Sequence, residues 1–134
     1  MSFLGLYSHA PLTRNIAAGF GVFQVALGLN GIFRPRAALE MWGFSASAPA
    51  KEAALIESLM QLYGVRNIGL GCMIFTVWSF GDSKTLGWVV LSDLIVAIGD
   101  GFVQKRYSGS GEWKHCPFVP VGGAIALALL GYFD

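Results

Sequence analysis

Residues Leu55–Phe80 read LIESLMQLYGVRNIGLGCMIFTVWSF, a segment with polar side chains in its first half and an apolar second half. At about 1.5 Å of rise per helical residue, this segment is long enough to cross a bilayer. Its first half carries Glu57, Gln61, Arg66 and Asn67. A guanidinium inside a spanning helix costs roughly 2.5–3.5 kcal/mol on insertion scales, so it normally turns inward to a partner. The segment therefore predicts a membrane helix with a functional site at Arg66.

The composition of the whole chain is typical of a membrane protein. Of its 134 residues, 54% are hydrophobic and 13% are charged, whereas soluble domains average roughly 45–50% and 25%. The charges fall between the apolar runs and leave the runs nearly bare, unlike the charged outer faces of a soluble bundle. The net charge of +1 is not the strong positive charge that is typical of proteins that bind nucleic acid. We therefore expect one membrane domain over residues 1–134, with membrane lipids as partners and no nucleic acid.

Four apolar runs predict an all-α fold, an integral membrane four-helix bundle. The predicted spans are residues 16–33, 55–80, 86–104 and 118–133. Pro35 is predicted to begin a short interfacial helix between the first two spans, which Gly43 ends, with Trp42 at the headgroup level. A tight turn at residues 81–85 makes the second and third spans antiparallel neighbours. The glycine- and alanine-rich faces of the first and fourth spans are candidate interfaces of a homo-oligomer.

Lysine and arginine are concentrated on one side of the predicted membrane. The first and third loops hold Arg34, Arg36, Lys51, Lys105, Arg106 and Lys114, and the opposite side holds Arg14 and Lys84. The more positive side normally faces the cytosol. Both termini are therefore expected to face away from the cytosol.

The same turn sets the register of the second and third spans. Arg66 lies 15 residues before Gly81, and Asp100 lies 16 residues after Lys84. The two side chains are therefore at nearly the same depth and are predicted to form an ion pair. A carboxylate beside an arginine stays ionised, so the pair is suited to orienting a substrate rather than donating a proton. A purely structural clasp between two helices is the alternative.

Asp93 is the second carboxylate of the third span. It lies seven residues before Asp100, on the same helix face and near the level of Cys72, where no span supplies a basic residue. An unpaired carboxylate at that depth is expected to be protonated at neutral pH, which is the state that a general acid needs. Gln24 of the first span enters at the level of Arg66 and is expected to complete that site. The alternative to a catalytic role is that a neighbouring carbonyl simply holds Asp93 in its neutral form.

The remaining candidates lie mainly toward the cytosolic side. Glu57 and Gln61 share one helix face and Arg66 projects away from it, so these groups cannot all line one pocket. His115 in the third loop is a candidate proton carrier. The plainer explanations are a solvated carboxylate for Glu57, a surface histidine for His115, and hydrogen bonds between helices for the amides. The substrate-binding candidates are Gln24, Glu57, Gln61, Asn67 and Trp113.

Several short motifs occur in order along the chain: a glycine-spaced run ending in GLNGIFRP (Gly21–Pro35), MWGF (Met41–Phe44), YGVRNIGLG (Tyr63–Gly71), Asp100 and EWKH (Glu112–His115). With these motifs the chain resembles, over nearly its whole length, a family of small four-helix fungal membrane proteins catalogued as a domain of unknown function. The resemblance implies a fungal protein of an internal membrane, such as the endoplasmic reticulum, with some relatives near secondary-metabolite genes. It implies no established reaction.

Cofactor and metal chemistry have no motif in this sequence. The SGSG run at residues 108–111 has no strand before it and no lysine after it, and there is no histidine-rich cluster. We therefore expect no cofactor and no metal, and the leading hypothesis is an acid–base enzyme that isomerises or cyclises a lipophilic polyketide or terpenoid metabolite. Arg66 would bind a carbonyl or enolate oxygen, Asp100 would hold Arg66, and Asp93 would transfer the proton. The alternative is a non-enzymatic interaction subunit, or a carrier that binds a lipophilic anion at Arg66.

Overall fold

The computed structural model describes residues 7–44, 49–109 and 117–134, and these residues form five α-helices with no strand among them. The helices are α1 (Pro11–Phe33), α2 (Pro35–Met41), α3 (Ala50–Phe80), α4 (Ser83–Ser108) and α5 (Phe118–Leu129). The predicted all-helical class is confirmed, and so is the short helix between the first two long ones. By length and composition, α1 and α4 could each cross a membrane, whereas α5 is a shorter apolar helix of 12 residues. Four membrane crossings are therefore not established by the helices themselves.

The helix ends follow local chemistry, and several differ from the predicted bounds. α1 begins five residues earlier than predicted, because Pro11 occupies its first turn, where a missing N–H costs nothing. α4 begins earlier because the Asp82 carboxylate accepts a hydrogen bond from the backbone N–H of Thr85 at 2.7 Å. α4 continues to Ser108, and Gly109 ends it in the left-handed conformation at φ 71°. The predicted bounds were apolar segments, whereas α1, α3 and α4 extend into their polar flanks. α5 instead ends at Leu129, four residues before the predicted end of the fourth span.

The tightest packing in the bundle joins α1 to α3 through glycines. A Cβ atom added at Gly64 would lie 2.6 Å from the carbonyl oxygen of Gly28, and one added at Gly71 would lie 2.7 Å from that of Gly21. No real side chain fits at such distances, so the two backbones are in direct contact. The glycine face of the first span, predicted as a candidate interface between copies, is therefore buried inside the chain. Gly122 of α5 likewise packs inward, against Leu94.

Four helices form a ring in the order α1, α3, α4, α5, and the short α2 packs on α1 and α3. Only Gly81 and Asp82 separate α3 from α4, so these helices are antiparallel neighbours, as predicted. We call the end of the bundle at this connection the turn end, and the opposite end the α2 end. Each end has its own buried apolar cluster. The turn-end cluster consists of Ala17, Ile74, Leu86, Val90, Ile125, Ala126 and Leu129. The α2-end cluster consists of Ala38, Leu39, Trp42 and Met60.

The turn end is fastened by a side chain from the start of α1. The guanidinium of Arg14 donates to the carbonyl of Trp78 at 2.6 Å, to that of Gly81 at 3.1 Å, and to the Ser83 hydroxyl at 3.3 Å. The last carbonyls of a helix have no partner within it and carry partial negative charge. Arg14 therefore caps α3 from outside and ties three helices together.

Candidate functional site

A polar layer lies between the two apolar clusters. We use this name for six side chains from α1, α3 and α4. They are Gln24, Tyr63, Arg66, Asn67, Asp93 and Asp100. Polar groups at this depth need partners, because an unpaired one loses its hydrogen bonds to water. The pairing within the layer therefore determines which atoms remain available to a ligand.

Arg66 and Asp100 pair across the gap between α3 and α4, which confirms the predicted ion pair. Nη2 of Arg66 lies 2.6 Å from Oδ2 of Asp100, with the two side chains 43% and 26% exposed. The guanidinium carbon also lies 4.9 Å from the centre of the Tyr63 ring, a cation–π distance. This is the single hydrogen bond of Arg66 within the described residues. Because a guanidinium has five N–H donors, it retains capacity for a further acceptor.

Gln24 pairs with Asp93, which differs from the prediction. Its Nε2 donates to both carboxylate oxygens of Asp93 at 2.8 Å. The expectation that Asp93 has no partner is therefore wrong, and Gln24 does not reach the Arg66–Asp100 pair. The glycine contacts bring α1 so close to α3 that the Gln24 side chain can extend across to α4. Its buried Oε1 atom has no hydrogen-bond partner within residues 7–44, 49–109 and 117–134.

The other predicted substrate-binding residues separate into two groups. Asn67 lies in the polar layer, 3% exposed, and its amide donates to the carbonyl of Tyr63 at 2.8 Å. Glu57 instead forms an ion pair with Arg36 at 2.5 Å. Nε2 of Gln61 donates a hydrogen bond to the backbone carbonyl oxygen of Ile32 at 3.4 Å. Glu57 and Gln61 thus join α3 to the α1–α2 connection and lie outside the polar layer, whereas His115 and Trp113 lie outside the described residues.

Two cavities flank the polar layer. The narrow one, of about 50 Å³, is lined by the polar groups Gln24, Asn67, Asp93 and Asp100, together with aromatic and aliphatic side chains. The larger one, of about 440 Å³, opens between α2, α3 and α4. Its lining residues are Leu39, Trp42, Phe44, Ile56, Leu59, Met60, Tyr63, Arg66, Asp100 and Val103. Trp42, Tyr63 and Asp100 line both cavities, so they form the wall between them.

The sequence reasoning overlooked the aromatic side chains of this wall. Trp42, predicted at the headgroup level, is 8% exposed, and its ring lies 6.5 Å from that of Tyr63 at 73°. The side chain of Gln104 on α4 donates to the backbone carbonyl of Trp42, the residue that follows α2, and so links the end of α2 to α4. Tyr63 could have been found from its spacing, because it lies three residues before Arg66 on the same helix face.

These features define a class: an all-helical protein with two helices long and apolar enough to cross a membrane, and a polar layer between two apolar clusters. The chain belongs to the family described as domain of unknown function DUF4267, whose pattern matches residues 21–129. The predicted resemblance to a family of unknown function is thus confirmed, and the match includes every residue of the polar layer. No curated protein and no solved structure matches the chain.

Proposed function

We propose that this protein is an integral membrane protein that binds a lipophilic small molecule in the larger cavity, with Arg66 contacting an oxygen of the ligand. The ring of four helices would cross the bilayer. Large apolar side chains on the outside of the ring support this, because soluble proteins rarely expose so many. They include Phe33, Phe80, Ile95 and Phe102, each more than 65% exposed. In a bilayer these side chains contact lipid instead of water.

The lining of the larger cavity carries this proposal. Small-molecule sites are typically concave and apolar, with a few polar groups that fix the ligand's orientation, and have volumes of roughly 300–1,000 Å³. The cavity has about 440 Å³, eight apolar or aromatic lining residues, and the Arg66–Asp100 pair at one end. Asp100 and Tyr63 hold the guanidinium in place, so its remaining N–H donors are oriented before a ligand arrives.

Co-purification tests the binding function. The full chain is extracted with its surrounding lipid, and the small molecules it retains are identified by mass spectrometry. We expect a lipophilic compound that is enriched with the wild type and depleted in Arg66→Gln. Arg36→Gln is the matched control, because Arg36 also pairs with a carboxylate of α3 but lies outside the cavity. Equal retention by all three proteins would contradict a site at Arg66.

Acid–base catalysis on the bound molecule is the second candidate function. It is favoured by one observation, that Asp93 and Asp100 line the same narrow cavity while Asp100 also lines the larger one. In a cofactor-free isomerase or cyclase, Arg66 would stabilise an enolate oxygen. Asp93 would take a proton from one carbon and return it to another. Because Asp93 does not line the larger cavity, the proton would pass through water in the narrow cavity and the Asp100 carboxylate, which lines both cavities.

Product profiling separates catalysis from binding. Membranes containing the wild type, Asp93→Asn or Arg66→Gln, at matched expression levels, are supplied with lipophilic extracts. An isomeric product of unchanged mass that disappears in both variants supports the enzyme. Retention of a compound without any new product leaves binding as the function.

The location of the protein follows from its charges as part of the same proposal. The α2 end carries Arg34, Arg36, Lys51, Lys105 and Arg106, whereas the turn end carries Arg14 and Lys84. By the positive-inside rule, the α2 end would face the cytosol and both termini would face the opposite side. An internal membrane such as the endoplasmic reticulum is the proposed location.

A further inference from the structure

The larger cavity has its polar groups, Arg66 and Asp100, near the middle of α3, and apolar side chains line it toward the α2 end. At the α2 end, Arg36 and Glu57 form an ion pair with side chains 70% and 31% exposed, which marks the level of the polar surface. Arg66 lies nine residues further along α3, about 13 Å deeper at 1.5 Å per residue. Leu39, Ile56 and Met60 line the cavity on the side toward the α2 end.

This polarity is opposite to that of an ordinary lipid. A fatty acid or phospholipid keeps its charged head at the water interface and extends its chain toward the bilayer centre. To place its head against Arg66, such a molecule would carry a charge about 13 Å inward and leave its chain against the polar surface. A molecule whose buried polar group is uncharged avoids most of this cost.

The charge of Arg66 is already compensated. Asp100 lies 2.6 Å from the guanidinium, so a ligand carboxylate would put a second negative charge beside the same cation. Two carboxylates in one site repel each other strongly when water is scarce. A carbonyl or hydroxyl oxygen can accept from the remaining N–H donors without this repulsion.

The walls of the cavity favour rings. Trp42 and Tyr63 meet edge to face, and Phe44 lines the same space. Aromatic side chains pack best against other flat rings, in offset or edge-to-face arrangements.

We propose that the ligand class is a compact, ring-bearing, uncharged molecule with a carbonyl or hydroxyl group at its inner end, and that fatty acids and phospholipids are excluded. This inference rests on the proposed binding function and specifies its ligand. It replaces a lipophilic anion at Arg66 by a neutral oxygen acceptor.

Three probes of equal carbon number test the inference: 2-naphthol, naphthalene and decanoate. At neutral pH the first is an uncharged aromatic alcohol, the second is the same ring system without oxygen, and the third is an acyl chain with a charge. The full chain, with ¹⁵N-labelled tryptophans, is placed in phosphatidylcholine nanodiscs. The indole signal of Trp42, assigned with Trp42→Phe, is followed against the mole fraction of each probe in the bilayer.

We expect 2-naphthol to shift the Trp42 signal saturably, with at least about tenfold higher affinity than naphthalene. The difference is expected because naphthalene has no oxygen that can accept a hydrogen bond from the charged Arg66 side chain. Decanoate is expected not to compete. Arg66→Gln is expected to remove the preference for 2-naphthol, and Arg36→Gln to keep it. The comparison of probes uses the wild type, so it stands even if Arg66→Gln fails to fold.

The opposite results separate the two proposals. If decanoate binds at Trp42 as tightly as 2-naphthol, the binding function stands and the inferred ligand class is wrong. If naphthalene matches 2-naphthol, the cavity binds lipophilic molecules, but both the contact of Arg66 with a ligand oxygen and the inferred ligand class are wrong. If no probe shifts the Trp42 signal saturably, the binding function fails and the ligand class fails with it.

Discussion

Nη2 of Arg66 lies 2.6 Å from Oδ2 of Asp100, so the arginine near the middle of α3 is neutralised by a carboxylate from the next helix along the chain. The pair is partly exposed and lines the larger cavity. The pair therefore joins α3 to α4 and also offers polar groups to a ligand, and substitutions can test these two roles separately.

Removing one charge of this pair is expected to destabilise the bundle more than removing both. Asp100→Asn leaves the guanidinium without its partner and should lower the free energy of unfolding by about 1–3 kcal/mol. Combining Arg66→Met with Asp100→Leu removes both charges and should recover most of the loss. Thermal unfolding in one detergent measures both, with Glu57→Gln as the surface control. A double variant that is no more stable than Asp100→Asn would contradict this expectation.

Gly28→Ala is expected to disrupt the α1–α3 contact. The new Cβ atom would lie 2.5 Å from Ile68 Cγ1 and 2.6 Å from the carbonyl oxygen of Gly64, so the helices must move apart at a cost of about 1–3 kcal/mol. Gly19→Ala on the same helix has no atom within 4 Å and should be neutral or slightly stabilising. Unfolding midpoints of the two variants check the difference. Equal effects would mean that the close approach is not important for stability.

Arg14→Gln is expected to weaken the turn end. The substitution removes the donors to the carbonyls of Trp78 and Gly81, and a loss of about 1–2 kcal/mol follows from losing charge-assisted bonds at a helix terminus. Hydrogen exchange at the last turn of α3 should speed up in this variant. Lys84→Gln removes a charge at the same end and is the control, which should leave that exchange unchanged.

Acid is expected to weaken the start of α4. The hydrogen bond from the backbone N–H of Thr85 holds the pKa of Asp82 below its ordinary value of 3.8. Because the folded pKa is the lower one, the stabilisation is present above pH 3.8 and is lost as the pH falls through the folded pKa. Unfolding midpoints of the wild type and Asp82→Asn should therefore converge or cross in acid. A difference that does not change with pH would exclude this contribution.

Cysteine labelling is expected to confirm the orientation. In a chain with Cys72 and Cys116 replaced by serine, new cysteines are introduced at Lys51 or Lys84, at opposite ends of the bundle. In sealed microsomes with the cytosolic face outward, a membrane-impermeant maleimide should label Lys51→Cys directly and Lys84→Cys only after detergent is added. The reverse pattern would mean that both termini face the cytosol.

The sequence was sufficient to predict contacts between two helices that a short turn joins. A turn of two residues sets the register of α3 and α4, so the depths of Arg66 and Asp100 could be matched by counting along the chain. The presence and approximate positions of the helices could be predicted from the apolar runs and from the positions of proline and glycine.

The sequence was not sufficient for contacts between helices that are distant along the chain. Gln24 reaches Asp93 because α1 approaches α3 closely, and that distance depends on several glycines acting together. The burial of Trp42 depends on how α2 folds back and on the hydrogen bond from Gln104. In both cases the local pattern is compatible with other arrangements, and tertiary packing selects one of them.

The glycine contact between α1 and α3 also has a consequence for biogenesis. The surface of α1 that bears Gly21 and Gly28 leaves the ribosome before the matching surface of α3 has been synthesised. During that interval α1 exposes backbone carbonyls that later lie against α3. Under the proposed membrane insertion, α1 would therefore enter the bilayer by its own apolar character, and it would gain its close contact with α3 only once the chain has been synthesised as far as Gly71.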